Sequence, residues 1–338
     1  MNPGAAQLGP ELIGTRVMVR SRLPGETSAS GRPAMTDVLG RVVGYTDGVA
    51  VIEKRDGALV PVPAETVVTA KVVPDGLDRH RTRPAGQFTA DALMRICTRG
   101  WPPADSEALG DWLLRDCGGF TRRANSAATH GDPQANLDAA LSDVIAYYTA
   151  RHLRPRAQVV AGSRWEAALS SAGWRPEDEE PTQVQVADLG ETRRLIQHAN
   201  PDWGSDVPSD VRIEERASEE WIGAYSRARE YDIEQVRAVL EGPPRVGFAR
   251  IGQRPDAICR VTVTGEWAGL HCLQVDRSQR RRGLGHRIVS GCLHWAIEHG
   301  ADKAYVQLEA LSPASRLFAG YGFATHHDYR YFSPVGAA

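Results

Sequence analysis

The chain contains 338 residues, of which 42% are hydrophobic and 24% are charged, so its composition is that of a folded globular protein rather than a disordered one. The 40 Lys and Arg residues against 42 Asp and Glu residues give a net charge of −2, which argues against a general affinity for polyanions. Only three of the basic residues are lysines, so an arginine cluster carries little weight by itself.

Membrane insertion and secretion are not indicated. No apolar run approaches the roughly 20 residues that a membrane-spanning helix needs, and the first residues lack the basic and apolar segments of a signal peptide. The five cysteines are widely spaced and form no C-x-x-C pair, so we expect free thiols rather than disulfides or a zinc site. We therefore predict a cytoplasmic protein without a metal site.

Residues 10–74 are predicted to form a small all-β barrel. Alternating or β-branched segments lie at 16–20, 38–45, 49–54, 59–62 and 66–73. Turn residues separate them, and the tripeptide 55–57 is typical of a hairpin. The absence of a helical period favours a closed barrel.

The polar stretch at 75–87 is predicted to be a linker. It contains a basic run at 79–83, for which a contact with nucleic acid is the weaker interpretation, because no aromatic residues are interleaved with the arginines. We do not expect nucleic acid as a partner.

Two α/β segments follow, at 88–190 and at 210–334. Strands are predicted at 112–115, 120–127, 158–160, 182–187, 246–251, 257–264, 267–275, 304–309 and 328–332. Helices are predicted at 90–98, 137–152, 165–172, 219–228, 233–240, 284–299 and 313–319. Each segment contains a helix, a strand, a short helix and a glycine–aromatic pair (Gly173-Trp174 and Gly322-Phe323), which suggests tandem copies of one unit.

The segment from Leu273 to His286 combines the end of a strand, an arginine-rich loop and the start of a helix. Its R-x-x-G-x-G string places Gly283 and Gly285 in the first helical turn, beside Arg280–Arg282. The free amides of such a turn and the helix dipole favour an anion, and glycine lets a phosphate approach the backbone. Since 33 of the 338 residues are glycine, the R-x-x-G-x-G string alone is weak evidence. Its position between a predicted strand and a predicted helix is what makes it informative. The segment predicts a pyrophosphate-binding site.

The pattern V-x-x-x-x-R-x-x-G-x-G, followed by a helix, a strand, a helix and Gly-Phe, resembles the GNAT superfamily of N-acetyltransferases. The resemblance covers about residues 210–332, and the segment at 88–190 looks like a degenerate GNAT half that lacks the glycine motif. The whole order, with an SH3-like barrel first, is similar to that of an actinobacterial and mycobacterial group described as histone-acetyltransferase-like.

This resemblance implies a fold of the α/β (α+β) class with a mixed central sheet. It also implies an enzyme that transfers an acetyl group from acetyl-coenzyme A to a primary amine by direct attack in a ternary complex. The loop amides would hold the pyrophosphate, and the end of the strand at 267–275 would admit the pantetheine. The implied coenzyme-binding residues are Leu273, Val275, Arg280, Arg281, Arg282, Gly283, Leu284, Gly285, His286, Ser312 and Phe318.

Acyl transfer to a lysine-type amine calls for a base, because an amine with a pKa of about 10.4 is neutral in only about one molecule in 10³–10⁴ at pH 7. His271 is the first candidate, and we expect it to share a face of its strand with Leu273. A role as a core histidine fits the sequence equally well. Glu309 and Glu266 are the other candidates, although a lone glutamate at a strand end is commonly solvated. Gly269 occupies the position where some GNAT relatives carry a glutamate base.

The general acid is the second open question. GNAT relatives often place a tyrosine in the short helix before Gly-Phe, and here that position is Phe318, which cannot donate a proton. Tyr321 is a possible substitute, and a core aromatic is the alternative. Because a thiolate is a tolerable leaving group, positioning alone could carry most of the acceleration.

A second interpretation is a coenzyme A-binding protein that moves no acyl group and recruits a partner through its barrel. The phenylalanine at the acid position favours it. The acceptor amine, whether a small molecule, a protein lysine or an N-terminus, is left open by the sequence, as is the oligomeric state. The acidic run at 177–180 is predicted to be a solvated loop.

Overall fold

The computed structural model describes residues 8–27, 33–54, 58–73, 83–199 and 208–336. The chain divides into two compact units, Met1–Arg83 and Pro84–Ala338, which are described separately. The predicted hairpin turn at 55–57, most of the predicted linker and most of its basic run lie outside the described residues.

The first unit is a five-stranded antiparallel sheet. Its strands are β1 (Arg16–Thr27), β2 (Pro33–Thr46), β3 (Val49–Lys54), β4 (Leu59–Pro63) and β5 (Val67–Val72). Alternation along each strand turns Val17, Val19 and Ile52 into a small interior. The strand order is β4-β3-β2-β1-β5, and β4 is not hydrogen-bonded to β5 among the described residues, so the barrel is open where we expected closure.

The second unit mixes helices and strands. Its helices are α1 (Ala90–Gly100), α2 (Leu137–Ala150), α3 (Arg164–Ser171), α4 (Leu189–Ala199), α5 (Glu219–Ala224), α6 (Ile233–Glu241), α7 (Leu284–Glu298) and α8 (Pro313–Ala319). Its strands are β6 (Asp105–Leu109), β7 (Trp112–Asp116), β8 (Ala127–Ala128), β9 (Ala157–Val160), β10 (Trp174–Pro176), β11 (Thr182–Asp188), β12 (Val211–Glu214), β13 (Val246–Ile251), β14 (Ala257–Thr264), β15 (Trp267–Val275), β16 (Lys303–Glu309) and β17 (Ala324–Pro334).

One sheet runs through the whole second unit. Its order is β12-β13-β14-β15-β16-β11-β17-β9-β8-β7-β6, with β10 paired to β17 as the twelfth strand. The two α/β segments exchange strands, because β11 of the first inserts between β16 and β17 of the second. In return, β17 pairs with β9 of the first segment. The two segments therefore share one hydrogen-bonded sheet.

The core lies on both faces of this sheet. On one face α7 buries Ile288, Val289 and Cys292, which are spaced at helical intervals, against β13, β14 and β15. On the opposite face α1, α5 and α6 pack around Trp101 and Trp221. β14 is buried on both faces from Ala257 to Val263. Its face toward α7 is apolar, whereas the opposite face carries Arg260 and Thr262 beside Ile258.

Two predicted elements differ from the structure. The strand expected at 120–127 is a helical turn at Arg122–Ala124 followed by the two-residue β8. The amide side chain of Asn125 causes this, since it accepts hydrogen bonds from the backbone amides of Cys117 and Gly119 and donates to the carbonyls of Phe120 and Thr121. The helix expected at 219–228 ends at Ala224 and continues as a separate turn, Ser226–Ala228.

Candidate active site

The sheet opens between β15 and β16. These parallel strands pair over only four positions, from Trp267 with Lys303 to Leu270 with Val306. Beyond them β15 stays paired with β14 as far as Val275, and β16 stays paired with β11 as far as Glu309. The two strands therefore separate at their carboxyl ends, and the backbone groups that face the gap have no ladder partner in the other strand.

A bulge at Cys272 changes which side chains of β15 face the gap. Cys272 has a φ of 56°, and β15 holds one residue more than β14 between the pairs Arg260–His271 and Ile258–Gln274. As a result Leu273 packs on the α7 face, whereas Cys272 packs on the opposite face. His271 also lies on that opposite face, against Trp101, so the expectation that His271 and Leu273 share a face is wrong.

The first turn of α7 presents uncapped backbone amides. Gly283, the residue before the helix, has a φ of 79°, a conformation that favours glycine. Among the described residues, no side chain caps the amides of the first turn. A Cβ on Gly283 would meet nothing within 4 Å, so the loop is open on that side. A Cβ on Gly285 would lie 3.0 Å from Cδ1 of Leu317 in α8, so this glycine allows α8 to pack closely on the turn.

Positive charge surrounds this helix start. Arg280, Arg281 and Arg282 are all exposed, and no carboxylate of the described chain lies within ion-pair distance of them. The Arg280 guanidinium donates from Nε to the carbonyl of Val275 at 3.3 Å, which holds the loop against the end of β15. The uncapped amides, the helix dipole and these cations together suit an anionic ligand.

A cleft of about 940 Å³ begins at the gap between the strands. Five of the predicted site residues line it: His271, Leu273, Glu309, Ser312 and Phe318. The remaining predicted residues, Val275, Tyr321 and the segment 280–286, do not line this cleft. The structure thus separates the predictions into a cleft group and a group at the helix start.

His271 is a buried, neutral imidazole. Its ring centroid lies 5.2 Å from that of Trp101 and 5.7 Å from that of Tyr305, and its Nε2 has no hydrogen-bond partner within the described residues. Burial, followed by the charges of Arg260 and Arg123, holds the pKa of His271 well below its usual range.

The neighbourhood of Gly269 shows where His271 points. A Cβ on Gly269 would lie 2.7 Å from Nε2 of His271 and would also meet the hydroxyl of Tyr305. These two polar groups therefore fill the space of a side chain at 269, the position of the base in some GNAT relatives.

The same face of β16 carries two further polar side chains. Both amide atoms of Gln307 are buried and have no hydrogen-bond partner in the described chain, which is unusual for a polar group. Glu309 is exposed at the end of the strand and lines the cleft. Glu266 is a different case, because it pairs with the buried Nζ of Lys303 at 3.2 Å and does not line the cleft.

Tyr321, the predicted acid, and the predicted coenzyme-binding residues Ser312 and Phe318 each contact neighbouring residues of the protein. The Tyr321 hydroxyl donates to the carbonyl of His286 at 2.8 Å, so this tyrosine fastens α8 to the first turn of α7. Ser312 caps α8, and its Oγ accepts from the amide of Ser315 at 3.2 Å. Phe318 is buried beside Phe323, with ring centroids 5.1 Å apart, and it borders the cleft.

Much of the cleft wall comes from residues that sequence reasoning missed. They are contributed by the end of α1, by the turn after β7, by the end of α5 and by β17: Trp101, Arg122, Arg123, Tyr225, Tyr329 and Tyr331. The buried Arg260 positions Trp101, because its guanidinium binds the carbonyl of Gly100 at 2.9 Å and that of Leu240 at 2.7 Å. The sequence Gly118-Gly119-Phe120 precedes Arg122 and Arg123 and could have indicated a turn near this wall.

The acidic run at 177–180 is only partly solvated, contrary to our expectation. The Glu177 side chain is 9% exposed and accepts from Nε of Arg156 at 2.7 Å. This pairing lowers the pKa of Glu177, against the opposing effect of burial. Glu179 and Glu180 are exposed and line the cleft.

The described residues also bear on metals and membranes. Within the described ranges, no group of three or more His, Cys, Asp or Glu side chains could hold a metal ion. Likewise, no helix that the structure describes combines the length and apolar character needed to cross a membrane.

Comparisons with known proteins give family matches for both units of the chain. Residues 91–332 match the family model "Probable histone acetyltransferase Rv0428c C-terminal", and residues 11–71 match "Rv0428c N-terminal Sm-like domain". The second match replaces our SH3-like description of the barrel with an Sm-like one.

Individual relatives are more distant. An uncharacterized N-acetyltransferase, YobR of Bacillus subtilis (strain 168), is 25% identical over 253 residues, which cover 70% of this chain and 96% of the relative. A solved GCN5-related N-acetyltransferase from Kribbella flavida aligns with a TM-score of 0.52 at 17% identity, covering 73% of this chain and 96% of that one. The chain belongs to the family described as probable histone acetyltransferase Rv0428c C-terminal, and it is an N-acetyltransferase of the GNAT type.

Proposed function

We propose that the protein transfers the acetyl group of acetyl-coenzyme A to a primary amine. One observation carries the proposal: β15 and β16 separate beyond Leu270 and Val306, and the gap lies beside the uncapped, glycine-lined start of α7. An extended pantetheine arm can pair with the free backbone groups of such a gap, while a diphosphate binds the amides of the helix start.

The residues at the helix start fit the diphosphate of the coenzyme. Gly283 leaves open space where a side chain would block approach, and the exposed Arg280–Arg282 supply unpaired positive charge. The amides of Leu284, Gly285 and His286 follow Gly283 in the first turn of a 15-residue helix, so the dipole reinforces them. When bound, the coenzyme supplies an activated thioester, and the chain's task is to orient an amine against it.

We propose direct attack by the amine, without an acyl-enzyme. Cys272 is the cysteine that lines the cleft, but burial raises the pKa of its thiol to about 12. A thiol with that pKa is almost entirely protonated at pH 7, and the thiolate is the nucleophilic form. Cys272 therefore serves as a bulge residue and not as an acyl carrier.

The amine must lose a proton, and we propose that His271 and Glu309 receive it, because these two groups lie on the separating strands β15 and β16. The other carboxylates that line the cleft, Glu179, Glu180 and Glu230, lie outside these strands. His271 is neutral at pH 7 because its pKa is depressed, so it is free to accept a hydrogen bond from the amine or from a water. Its low proton affinity means that it passes the proton on rather than keeping it. Glu309, which lies exposed at the mouth, is the proposed exit to solvent.

The proposal assigns no residue as general acid. Phe318 occupies the position that the family resemblance marks for a tyrosine, and the Tyr321 hydroxyl is engaged by the His286 carbonyl. The thiolate of coenzyme A can leave without protonation, so orientation of the amine in the cleft supplies most of the acceleration.

The test compares alanine substitutions at two glycines that have similar backbone conformations. Gly283 and Gly300 stand at opposite ends of α7, both have a left-handed φ (79° and 91°), and a Cβ on either would meet nothing within 4 Å. Alanine at either position costs about 1–2 kcal/mol of backbone strain, but only Gly283 adjoins the proposed diphosphate site. Binding of acetyl-coenzyme A is measured by calorimetry, and release of free thiol is measured with a panel of amines.

We expect Gly283→Ala to weaken binding about 10-fold or more, because its Cβ would occupy the open space through which the diphosphate reaches the amides, and this would weaken an interaction of the size of one charge-assisted hydrogen bond. Gly300→Ala should bind like the wild type. Equal affinities for the two variants would refute the diphosphate site. A wild-type protein that binds the coenzyme but releases no thiol with any amine would support the alternative of a binding protein, which the family membership does not favour.

A further inference from the structure

Arg123 is a cation without a counter-ion inside the cleft. It is half-buried, its Nε is inaccessible to solvent and lacks a hydrogen-bond partner, and no described carboxylate lies within ion-pair distance of its guanidinium. Its neighbour Arg122 is the opposite case, because it pairs with Glu177 at 3.5 Å and also with Glu179. The chain thus neutralises one of two adjacent arginines and leaves the other free.

The turn that carries Arg123 is fixed in place. Asn125, which is buried, binds four backbone groups of the segment 117–121, at distances of 2.8–2.9 Å. In addition, the indole Nε1 of Trp101 donates to Oγ1 of Thr121 at 3.0 Å. Arg123 is therefore presented by a rigid turn, as a preorganised binding group requires.

One aromatic ring contacts the guanidinium, and three more line the cleft. The guanidinium lies 5.3 Å from the ring centroid of Trp101, and Tyr225, Tyr329 and Tyr331, all buried, line the same cleft. Cation–π contact compensates part of the lost hydration, but a partly desolvated charge without an anion remains costly to the fold. Such a group is retained where a ligand supplies the missing anion.

The mouth of the cleft has the opposite charge. Glu180, Glu230 and Glu309 are exposed and line it, so they attract a cationic amine toward the gap between β15 and β16. A guanidinium fork binds a planar carboxylate through two parallel hydrogen bonds, and it can bind a phosphate in the same way. The exposed Arg227 also lines the cleft, and no described carboxylate pairs with it. The cleft therefore combines a mainly acidic mouth with two arginines that lack an ion-pair partner among the described residues, and of these only Arg123 is half-buried.

We infer that Arg123 binds a carboxylate of the acceptor, so that the acceptor is an amino acid or a related amine that carries a carboxylate. This inference rests on the proposed acetyl transfer and adds the substrate class to it. It assigns Arg123 the role of a specificity residue, with no part in proton transfer.

The experiment uses matched pairs of acceptors that differ only in the carboxylate: lysine with cadaverine, and phenylalanine with phenethylamine. Phosphoethanolamine tests a phosphate in place of the carboxylate, and a lysine-containing peptide with blocked termini tests a protein-like acceptor. The value of kcat/KM is measured for the wild type, for Arg123→Gln and for Arg122→Gln. Calorimetry with the same compounds, in the presence of coenzyme A, measures binding independently of turnover.

We expect the wild type to prefer each carboxylated amine, and Arg123→Gln to reduce that preference by about 10-fold to 150-fold, the range of one charge-assisted hydrogen bond. Arg122→Gln should leave the preference unchanged, because its charge is already paired. The affinity of Arg123→Gln for acetyl-coenzyme A should match that of the wild type. Its unfolding temperature should be equal to or above that of the wild type, because the substitution removes a partly desolvated charge.

Three results would overturn the inference: equal turnover of the members of each pair, a better rate with the blocked peptide or with phosphoethanolamine, or a loss of coenzyme affinity in Arg123→Gln. If no amine is turned over, the proposed function fails. The calorimetric preference for carboxylates then decides the role of Arg123 by itself.

Discussion

Replacement of Tyr321 by phenylalanine separates a structural tyrosine from a catalytic acid. The hydroxyl donates to the carbonyl of His286 at 2.8 Å, and the ring lies on that histidine with centroids 5.7 Å apart. The residue is 5% exposed and does not line the cleft. We therefore expect Tyr321→Phe to change stability and not the chemical step.

The expected magnitudes follow from this geometry. One buried hydrogen bond contributes about 0.5–1.5 kcal/mol, which corresponds to a fall of about 1–6 °C in the unfolding temperature of a unit of this size. A general acid contributes about 10²-fold to 10⁴-fold to the rate, whereas a structural role predicts that turnover changes by less than about 3-fold.

The assay pairs thermal unfolding with steady-state thiol release, and Tyr147→Phe is the matched control. The Tyr147 hydroxyl is also buried but has no hydrogen-bond partner among the residues described, so its removal should cost no stability. Turnover slowed by about 100-fold or more in Tyr321→Phe, which is the effect of losing an acid, together with an unchanged unfolding temperature, would refute the structural role.

Three further predictions concern buried groups. Cys272→Ala should keep its turnover rate within about 3-fold of the wild type, since a thiol with a pKa of about 12 is a poor nucleophile at pH 7. Mass spectrometry of the wild type after exposure to acetyl-coenzyme A alone should show no acetyl adduct, and the presence of an adduct would contradict direct attack. Lys303→Met should lower stability by about 2–3 kcal/mol in denaturant titration, because its fully buried Nζ pairs with Asp302 at 2.7 Å, whereas the exposed control Lys71→Met should be neutral. Burial, and then nearby arginines, lower the pKa of His130 to about 3. Between pH 6.5 and 3 the unfolded chain therefore binds one more proton than the folded chain, and stability falls by up to about 1.4 kcal/mol per pH unit as the pH drops. Unfolding scans of His130→Asn should show a shallower dependence of stability on pH, and an unchanged dependence would contradict this assignment.

Local features of the fold were accessible from the sequence. The start of α7 at Leu284 follows from the glycines and the apolar period, and the open end of β15 was expected from the family resemblance. Each depends on a short stretch of chain, where spacing and glycine chemistry decide the conformation.

Features that depend on distant pairing were not accessible. The exchange of β11 and β17 joins residues far apart in sequence, and no local pattern encodes which strands pair. The bulge at Cys272 reverses the faces of β15 because a single extra residue interrupts the alternation. Arg123 reaches the cleft only because Asn125 converts an expected strand into a turn, so its role became visible in three dimensions alone.

The central claim is that backbone amides at the start of α7 bind the diphosphate of the coenzyme. Glycine-selective ¹⁵N labelling follows the amides of Gly283 and Gly285 directly, with assignments from single alanine variants. Acetyl-coenzyme A should shift both resonances, whereas S-acetylpantetheine, which has the same thioester but no diphosphate, should leave them in place. Unmoved glycine resonances at saturating acetyl-coenzyme A, or equal shifts with both compounds, would contradict the account.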